Sequence, residues 1–477
     1  MDILKDLGKK ELIFTLGRYI TYFFQIIKGF LLAKVLGPEL FGVFGIFLLV
    51  QQYLVYSNFG IQYVLNIKLS VDNVNQSILS KNIKAIIDSS FTLTSASSIL
   101  LIITSLILIY WNIDFNIVIP KSHFIIGLLL VTILFHIQEV FLNIFRIQKK
   151  FYVILTTEIL IAISSIIVIP FFSGIELLYA VIISWILSLL LSLTIFKINY
   201  RNKINWNTNM IKPLLLVGIP FLLYNLSFNL ISMASRSFVA YNFTIAEMGL
   251  FTFSVSLTTA VMLVFNSVSW IIYPKLISKL SDSKLNKTEQ EKLLFGLTKK
   301  TVSFVLILIL FSFIFLPLIF YFLPEYYNSF DTIVILLINQ IVINSTFALT
   351  SYLVGRNMYK LLIISSLYSL VVCCLLMLLF AYFGLNFVWI AFANLVGSLI
   401  FVNYLIFKIC KKQEFNYKNL FNSFNLFTQI NLIVFALLIL YNFRSIGFIF
   451  FTTSMLSIYW SEIRDNLKLI KSKINKR

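Results

Sequence analysis

The stretch Arg18–Gly37, RYITYFFQIIKGFLLAKVLG, decides the fold. It is long and apolar enough to cross a hydrocarbon core of about 30 Å. It nevertheless carries Arg18 and Lys28 inside the apolar run. A cation at the centre of a membrane helix costs roughly 2.5–3.5 kcal/mol, so each needs a reason to be there. The surrounding run, Leu12 to Leu36, exceeds a signal-peptide core, and no A-x-A-like site follows it. It reads as an uncleaved first span.

Similar runs recur along all 477 residues, of which 60% are hydrophobic and only 12% charged, against about 25% charge in soluble proteins. The reading is an all-α polytopic membrane protein with about fourteen transmembrane helices. The first six spans lie near 12–36, 41–65, 86–109, 123–145, 152–172 and 175–196. The next six lie near 213–240, 247–272, 301–323, 331–353, 361–382 and 386–407, and two more near 424–442 and 445–461. The expected organisation is an N-terminal six-helix lobe over 1–200 and a C-terminal six-helix lobe over 213–410. Two additional helices with a basic cytoplasmic tail occupy 420–477. The charged segment 275–300 is expected to form an amphipathic cytoplasmic helix.

The formal charge of +19 would point a soluble chain toward nucleic acid. Here its placement points to topology. With both termini in the cytoplasm, only Lys34, Lys121 and Arg444 of the 38 Lys and Arg fall on the outer side. Arg18, Lys28 and Arg236 fall within spans, and every other Lys and Arg is cytoplasmic, a strong positive-inside asymmetry. The excess is compatible with contact to anionic membrane lipid, and no nucleic-acid partner is expected.

Catalytic chemistry is poorly represented. There is no G-x-x-x-x-G-K-[ST] and no H-E-x-x-H among two histidines, so neither an ATP-driven module nor a metal hydrolase is expected. Cys373, Cys374 and Cys410 have no disulfide or metal spacing and read as small packing residues. No large outer loop is present to house a glycosyltransferase or polymerase site. No metal or cofactor is expected, and the chain reads as a non-enzyme.

An internal repeat sharpens this. LGPELFGVFGIFLLV after the first span and FTIAEMGLFTFSVSL after the seventh share a turn, an acidic residue (Glu39, Glu247), a bulky apolar residue and a glycine (Gly42, Gly249). Six spans between them make the repeats parallel, with a substrate path expected at their interface. Lys28 and Arg236 occupy nearly equivalent places before the two glycines.

At 100° per residue, Arg18, Thr21, Tyr22, Gln25, Lys28 and Gly29 share one face of the first span. Asn225, Asn229, Ser232 and Arg236 form a stripe in the seventh. Gln51, Asn58 and Gln62 do so in the second, and Gln340, Asn344 and Ser351 in the tenth. Lipid cannot satisfy such groups. Interhelical hydrogen bonding accounts for isolated Asn or Ser residues. The stripes with cations read instead as the lining of a cavity. The acidic residues at membrane depth are few: Asp88, Glu139 and Glu158, each able to neutralise a cation or to carry a coupling ion. Glu158 is the deepest, while His136 reads as a polar packing residue and His123 as interfacial.

Six segments then carry a family likeness: AKVLGPELFGVFGIFLLV, SNFGIQYVL, VGIPFLLYNL, SRSFVAYNFTIAEMGLFTFSVSL, WIIYPKLISKL and VGRNMYKLLIISS. In this order and spacing the chain resembles the Wzx-type polysaccharide flippases of the multidrug/oligosaccharidyl-lipid/polysaccharide exporter superfamily. The resemblance implies two six-helix lobes with alternating access. The implied substrate is an undecaprenyl-pyrophosphate-linked oligosaccharide repeat unit, for O-antigen (lipopolysaccharide) or capsule, carried across the bacterial cytoplasmic (inner) membrane. It further implies a polysaccharide polymerase and a chain-length regulator as partners. The family often has Asp-Arg where this chain has Ser235-Arg236, so an ion pair at that place is not expected. A peptidoglycan-precursor or teichoic-acid flippase and a multidrug exporter of the same fold are the alternatives. On the leading reading Arg18, Lys28 and Arg236 would engage the pyrophosphate. Gln25, Asn225, Asn229 and Tyr22 would line the path, and Glu158, Asp88 or Glu139 would couple an ion.

Overall fold

The computed structural model describes residues 9–65, 81–110, 120–200, 203–281, 286–356, 358–416 and 424–474. Among them every regular element is a helix. The basic segments 1–8, 66–80 and 475–477, assigned above to the cytoplasm, lie outside the described residues. The helices are α1 (Lys9–Val55), α2 (Lys81–Tyr110), α3 (Lys121–Ile147), α4 (Phe151–Val168), α5 (Gly174–Asn199), α6 (Ile211–Asn242) and α7 (Ile245–Ser281). They continue as α8 (Lys287–Phe322), α9 (Phe330–Ser345), α10 (Phe347–Gly355), α11 (Tyr359–Tyr382), α12 (Val388–Gln413), α13 (Leu426–Leu440) and α14 (Arg444–Ile474).

Among the described residues eleven stretches are long and apolar enough to cross a membrane. The bent pair Ile211–Ser227 and Asn229–Asn242 makes a twelfth, and Leu426–Leu440 is a shorter apolar helix. One of the eleven, Gly17–Asn58, runs 42 residues, or about 63 Å at 1.5 Å per residue, twice a bilayer core. It is broken at Gly37, whose φ of 66° is left-handed, a conformation that glycine adopts without a Cβ penalty. Pro38 opens the next segment, where a missing N–H is no loss, and Glu39 sits in its first turn at the positive end of the helix dipole.

The repeat of this motif at α7 is also a helix start, built differently. The Thr244 backbone N–H and hydroxyl donate to Glu247 Oε2 (2.9 and 2.8 Å), and the Glu247 N–H donates to Thr244 Oγ1 (3.2 Å). This is a reciprocal capping box. The acidic residue shared by the two motifs therefore marks a break between consecutive spans.

The chain divides into two compact units, Asp6–Leu226 and Ser227–Arg477. Within each, the same pairs of helices pack. In the first, α2 lies on α3, α3 on α5 and α4 on α5. In the second, α8 lies on α9, α9 on α12 and α11 on α12. These three pairings therefore recur in both units. The last two helices join the second unit: α14 packs on α8 and α13, and α13 on α9.

Three expectations change. The second span ends at Val55, not near 65. A 3-10 turn over Tyr56–Asn58 follows, then left-handed Phe59 and Gly60 (φ 55° and 74°), with the Gly60 N–H donating to Asn58 Oδ1 at 3.0 Å. Gln62 therefore lies beyond the helix that carries Gln51. The tenth span is interrupted at Thr346, between α9 and α10. The charged segment 275–300, read as able to form an amphipathic cytoplasmic helix, is helical where described but is not a helix of its own. The C-terminal end of α7 and the start of α8 occupy that stretch, the latter capped reciprocally by Asn286 and Glu289.

α14 is anchored at its first residue. The Arg444 guanidinium donates to both carboxylate oxygens of Asp331 at 2.8 Å and to the Tyr327 hydroxyl at 3.1 Å. Further along, Lys299 pairs with Glu462 at 3.2 Å. Hydrogen bonds to charged groups contribute roughly 1.5–3 kcal/mol. Arg444→Met is expected to speed amide exchange in the first turns of α14 by about tenfold or more. Unchanged exchange there would show that apolar packing alone holds the helix.

Candidate functional site

The first half of α1 presents one polar and one apolar face. Thr21 and Tyr22 are buried and Arg18, Gln25 and Lys28 half-buried, whereas Ile20 and Phe23 are 54% and 60% exposed. The polar arc read from the sequence thus points into the first unit, and the exposed side is the one suited to lipid.

Arg18 donates from Nη2 to Glu158 Oε1 of α4 at 3.2 Å. Its guanidinium also lies over the Tyr22 and Phe14 rings, 5.4 and 5.7 Å from their centroids. Gly17 permits this approach: a Cβ there would overlap the Leu155 side chain, so α1 and α4 meet where the glycine leaves room. Glu139 of α3 lies within electrostatic range of both Glu158 and Arg18. Arg146, in the last turn of α3, lies within range of Arg18. Two arginines and two carboxylates thereby form one cluster on three helices. Glu158 Oε2 is buried in it without a hydrogen-bond partner among the described residues.

Lys28 is held differently. Among the described residues no carboxylate lies within salt-bridge distance of it. Its ammonium sits 5.0 Å from the centroid of the Trp185 ring on α5. The indole is fixed on its other sides. Its N–H donates to Ser165 Oγ of α4 at 2.7 Å, and the ring packs on Phe44 and Phe47 at centroid distances of 5.7 and 6.5 Å. A cation–π contact is worth roughly 0.5–2 kcal/mol, whereas two opposite charges 4 Å apart at an effective dielectric of 20 attract by about 4 kcal/mol. The aromatic face stabilises the ammonium, and no carboxylate among the described residues cancels its charge.

The second unit makes the matching link between its first and fifth helices without charge: Ser366 Oγ donates to Ser227 Oγ at 2.7 Å. Helix packing of this kind therefore does not require an ion pair, and the charges of the first unit need another reason. Arg236 of α6 is the buried cation of the second unit, 7% exposed. Beside it in sequence, the Ser235 hydroxyl donates to the Ile231 carbonyl at 3.0 Å.

The remaining sequence-predicted residues are distributed as follows. Asn225 belongs to the first unit and donates to the Phe221 carbonyl at 2.9 Å. Asn229 and Arg236 belong to the second, so the stripe read along one straight helix is divided by the bend in α6. Asp88 engages the chain after α5: its Oδ1 accepts from the Asn205 N–H at 3.2 Å, while Thr92 Oγ1 accepts from the Asn207 N–H at 3.2 Å. His136 is buried, and His123 meets the Tyr179 hydroxyl at 3.3 Å. Sequence reading missed Trp185 and Arg146. Trp185 looked like one more aromatic in an apolar span, and Arg146 like one more cytoplasmic cation.

The fold is similar to that of solved structures described as a flippase and as transporters of the MOP superfamily. A structure described as lipid II flippase MurJ in an inward closed conformation superposes with a TM-score of 0.65 at 13% identity, covering 95% of this chain and 100% of that one. An inward-facing multidrug resistance MATE family transporter of the MOP superfamily gives 0.64 at 15% identity, covering 84% and 99%. A MOP superfamily transporter from Pyrococcus furiosus gives 0.56 at 16% identity, covering 85% and 95%. Residues 31–320 match the family model described as polysaccharide biosynthesis protein. The chain belongs to that family. No curated protein matches the sequence.

Proposed function

We propose that this protein is a flippase that carries an undecaprenyl-pyrophosphate-linked oligosaccharide repeat unit across the bacterial cytoplasmic membrane, for O-antigen or capsule assembly. The observation that supports it best is Lys28: a cation at membrane depth, turned into the helix bundle and held by an aromatic face, with no countercharge among the described residues. A pyrophosphate crossing low dielectric needs such a partner. Arg18 and Arg236 are the further cations for it, and Tyr22, Gln25, Asn225 and Asn229 supply hydrogen-bonding groups for the sugars. The polyprenyl tail stays in lipid. Both termini are cytoplasmic on this reading, and a polymerase and chain-length regulator receive the product.

Transport is ion-coupled alternating access, with the cluster of Arg18, Glu158 and Glu139 as the coupling centre. A pyrophosphate that takes Arg18 leaves Glu158 without its ion-pair partner beside Glu139, and two such neighbouring carboxylates favour uptake of a cation or proton. Asp88 is the weaker coupling residue, because its carboxylate holds the backbone after α5.

Peptidoglycan-precursor and teichoic-acid flippases share the same anion chemistry and form the second reading. Export of cationic drugs fits a cation-lined site less well. Purified protein in proteoliposomes, with a fluorescent prenyl-pyrophosphate-linked oligosaccharide, tests the proposal by loss of inner-leaflet label. Flipping that an imposed pH gradient accelerates in the wild type, but not in Glu158→Gln, is the expected result. Absence of flipping for pyrophosphate-linked oligosaccharides of any sugar composition would reject the reading.

A further inference from the structure

We propose that Trp185 is a positioning residue for the anion site: its indole face parks the Lys28 ammonium, charged and inward, until a phosphate oxygen takes it. The inference rests on the flippase reading for the identity of the anion and on the geometry of α1 and α5 for the rest.

Three arrangements could satisfy a lysine at this depth. A carboxylate would pair with it and cancel its field. A ring of carbonyls and hydroxyls would solvate it and hold it by several hydrogen bonds. An aromatic face attracts it through the ring quadrupole, with no hydrogen bond to break and no charge cancelled. Among the described residues the structure has the third: Lys28 Nζ lies 5.0 Å from the Trp185 centroid. The ring itself cannot follow the ammonium. Ser165 holds its N–H at 2.7 Å, and Phe44 and Phe47 back it. The lysine, on four rotatable methylenes, is the part that moves.

The contrast with Arg18 separates two roles. Arg18 leaves a carboxylate when it binds an anion, and Lys28 leaves only a ring. Anion capture by Lys28 is therefore electrically simple, whereas capture by Arg18 exposes Glu158. Trp185 makes the first of these possible. It is itself buried, so it does not serve as a stacking platform for sugar.

The test uses full-length protein in nanodiscs and farnesyl pyrophosphate as the probe. Farnesyl pyrophosphate is expected to change tryptophan emission in the wild type, and the change is expected to vanish in Trp185→Phe and in Lys28→Met. Trp185→Leu is expected to weaken binding roughly tenfold, and Trp185→Phe by only about threefold, as the quadrupole is reduced but kept. The decisive comparison is a double-mutant cycle. In a Lys28→Met background, Trp185→Leu should cost no further affinity. Equal, additive losses in both backgrounds would make Trp185 a packing residue and overturn the proposal. Unweakened binding by Trp185→Leu would overturn it as well. If Trp185→Leu does not fold, the emission change and the Trp185→Phe affinity decide: loss of that change with a threefold weakening supports the proposal, and persistence of both at wild-type values rejects it. Failure of the wild type to bind any prenyl pyrophosphate would instead reject the underlying flippase reading, and this proposal with it.

Discussion

Removing the cations of the two units together, as Arg18→Ala with Glu158→Gln, Lys28→Ala and Arg236→Ala, is expected to abolish surface polysaccharide in cells that depend on this protein. Glu158 is changed with Arg18 because an unpaired buried carboxylate by itself destabilises a protein by about 3–5 kcal/mol, which would confuse a folding defect with a transport defect. On the proposed function, each cation removed costs one charge-assisted hydrogen bond to the pyrophosphate, roughly 1.5–3 kcal/mol, so one substitution is expected to lower export by about ten- to a hundredfold. Three together pass below detection. Membrane abundance, read by immunoblot, should stay near wild type, because removing a cation from a spanning helix relieves an insertion cost. Full polysaccharide output from the combined variant would mean that these cations do not handle the substrate.

The second large effect concerns the frame. SNFGIQYVL and VGIPFLLYNL are weak motifs taken singly, yet the fold brings their glycines face to face. A Cβ at Gly60 would overlap the Gly218 carbonyl and crowd Leu222 Cβ at 3.0 Å, and a Cβ at Gly218 would meet Phe59 O at 2.8 Å and Val64 Cγ2 at 2.9 Å. Gly60 also has a φ of 74°, which costs an L-residue roughly 1–2 kcal/mol. Backbone cannot rotate away as a side chain can. Gly60→Ala is therefore expected to destabilise by more than about 3 kcal/mol and to lose monodisperse protein in size-exclusion chromatography. Gly174→Ala is the control: its φ is 58°, but a Cβ would meet nothing within 4 Å, so the expected loss is only about 1 kcal/mol. Similar melting behaviour of the two variants would refute the close approach.

The sequence by itself determined the class of fold, since period and apolarity at this length permit little but membrane helices. It also determined the inward face of α1. Arg18, Tyr22 and Lys28 share an arc in any regular helix, and the arc did turn inward. Short-range chemistry was legible too: Gly37-Pro38 and Thr244 with Glu247 announce a helix break and a helix start from local rules.

Tertiary structure alone decided the partners. Arg18 could have paired with Asp88, Glu139 or Glu158, and it donates to Glu158, 3.2 Å away, because Gly17 and Leu155 let α1 and α4 close. Trp185 lies 157 positions beyond Lys28 in the chain, and no local pattern links them. The bend in α6 likewise divided a stripe that a straight helix would have kept whole. Periodicity reports which side of a helix is polar, because that is a property of one segment. Which group neutralises a charge depends on contacts between segments far apart in sequence, and only packing fixes those.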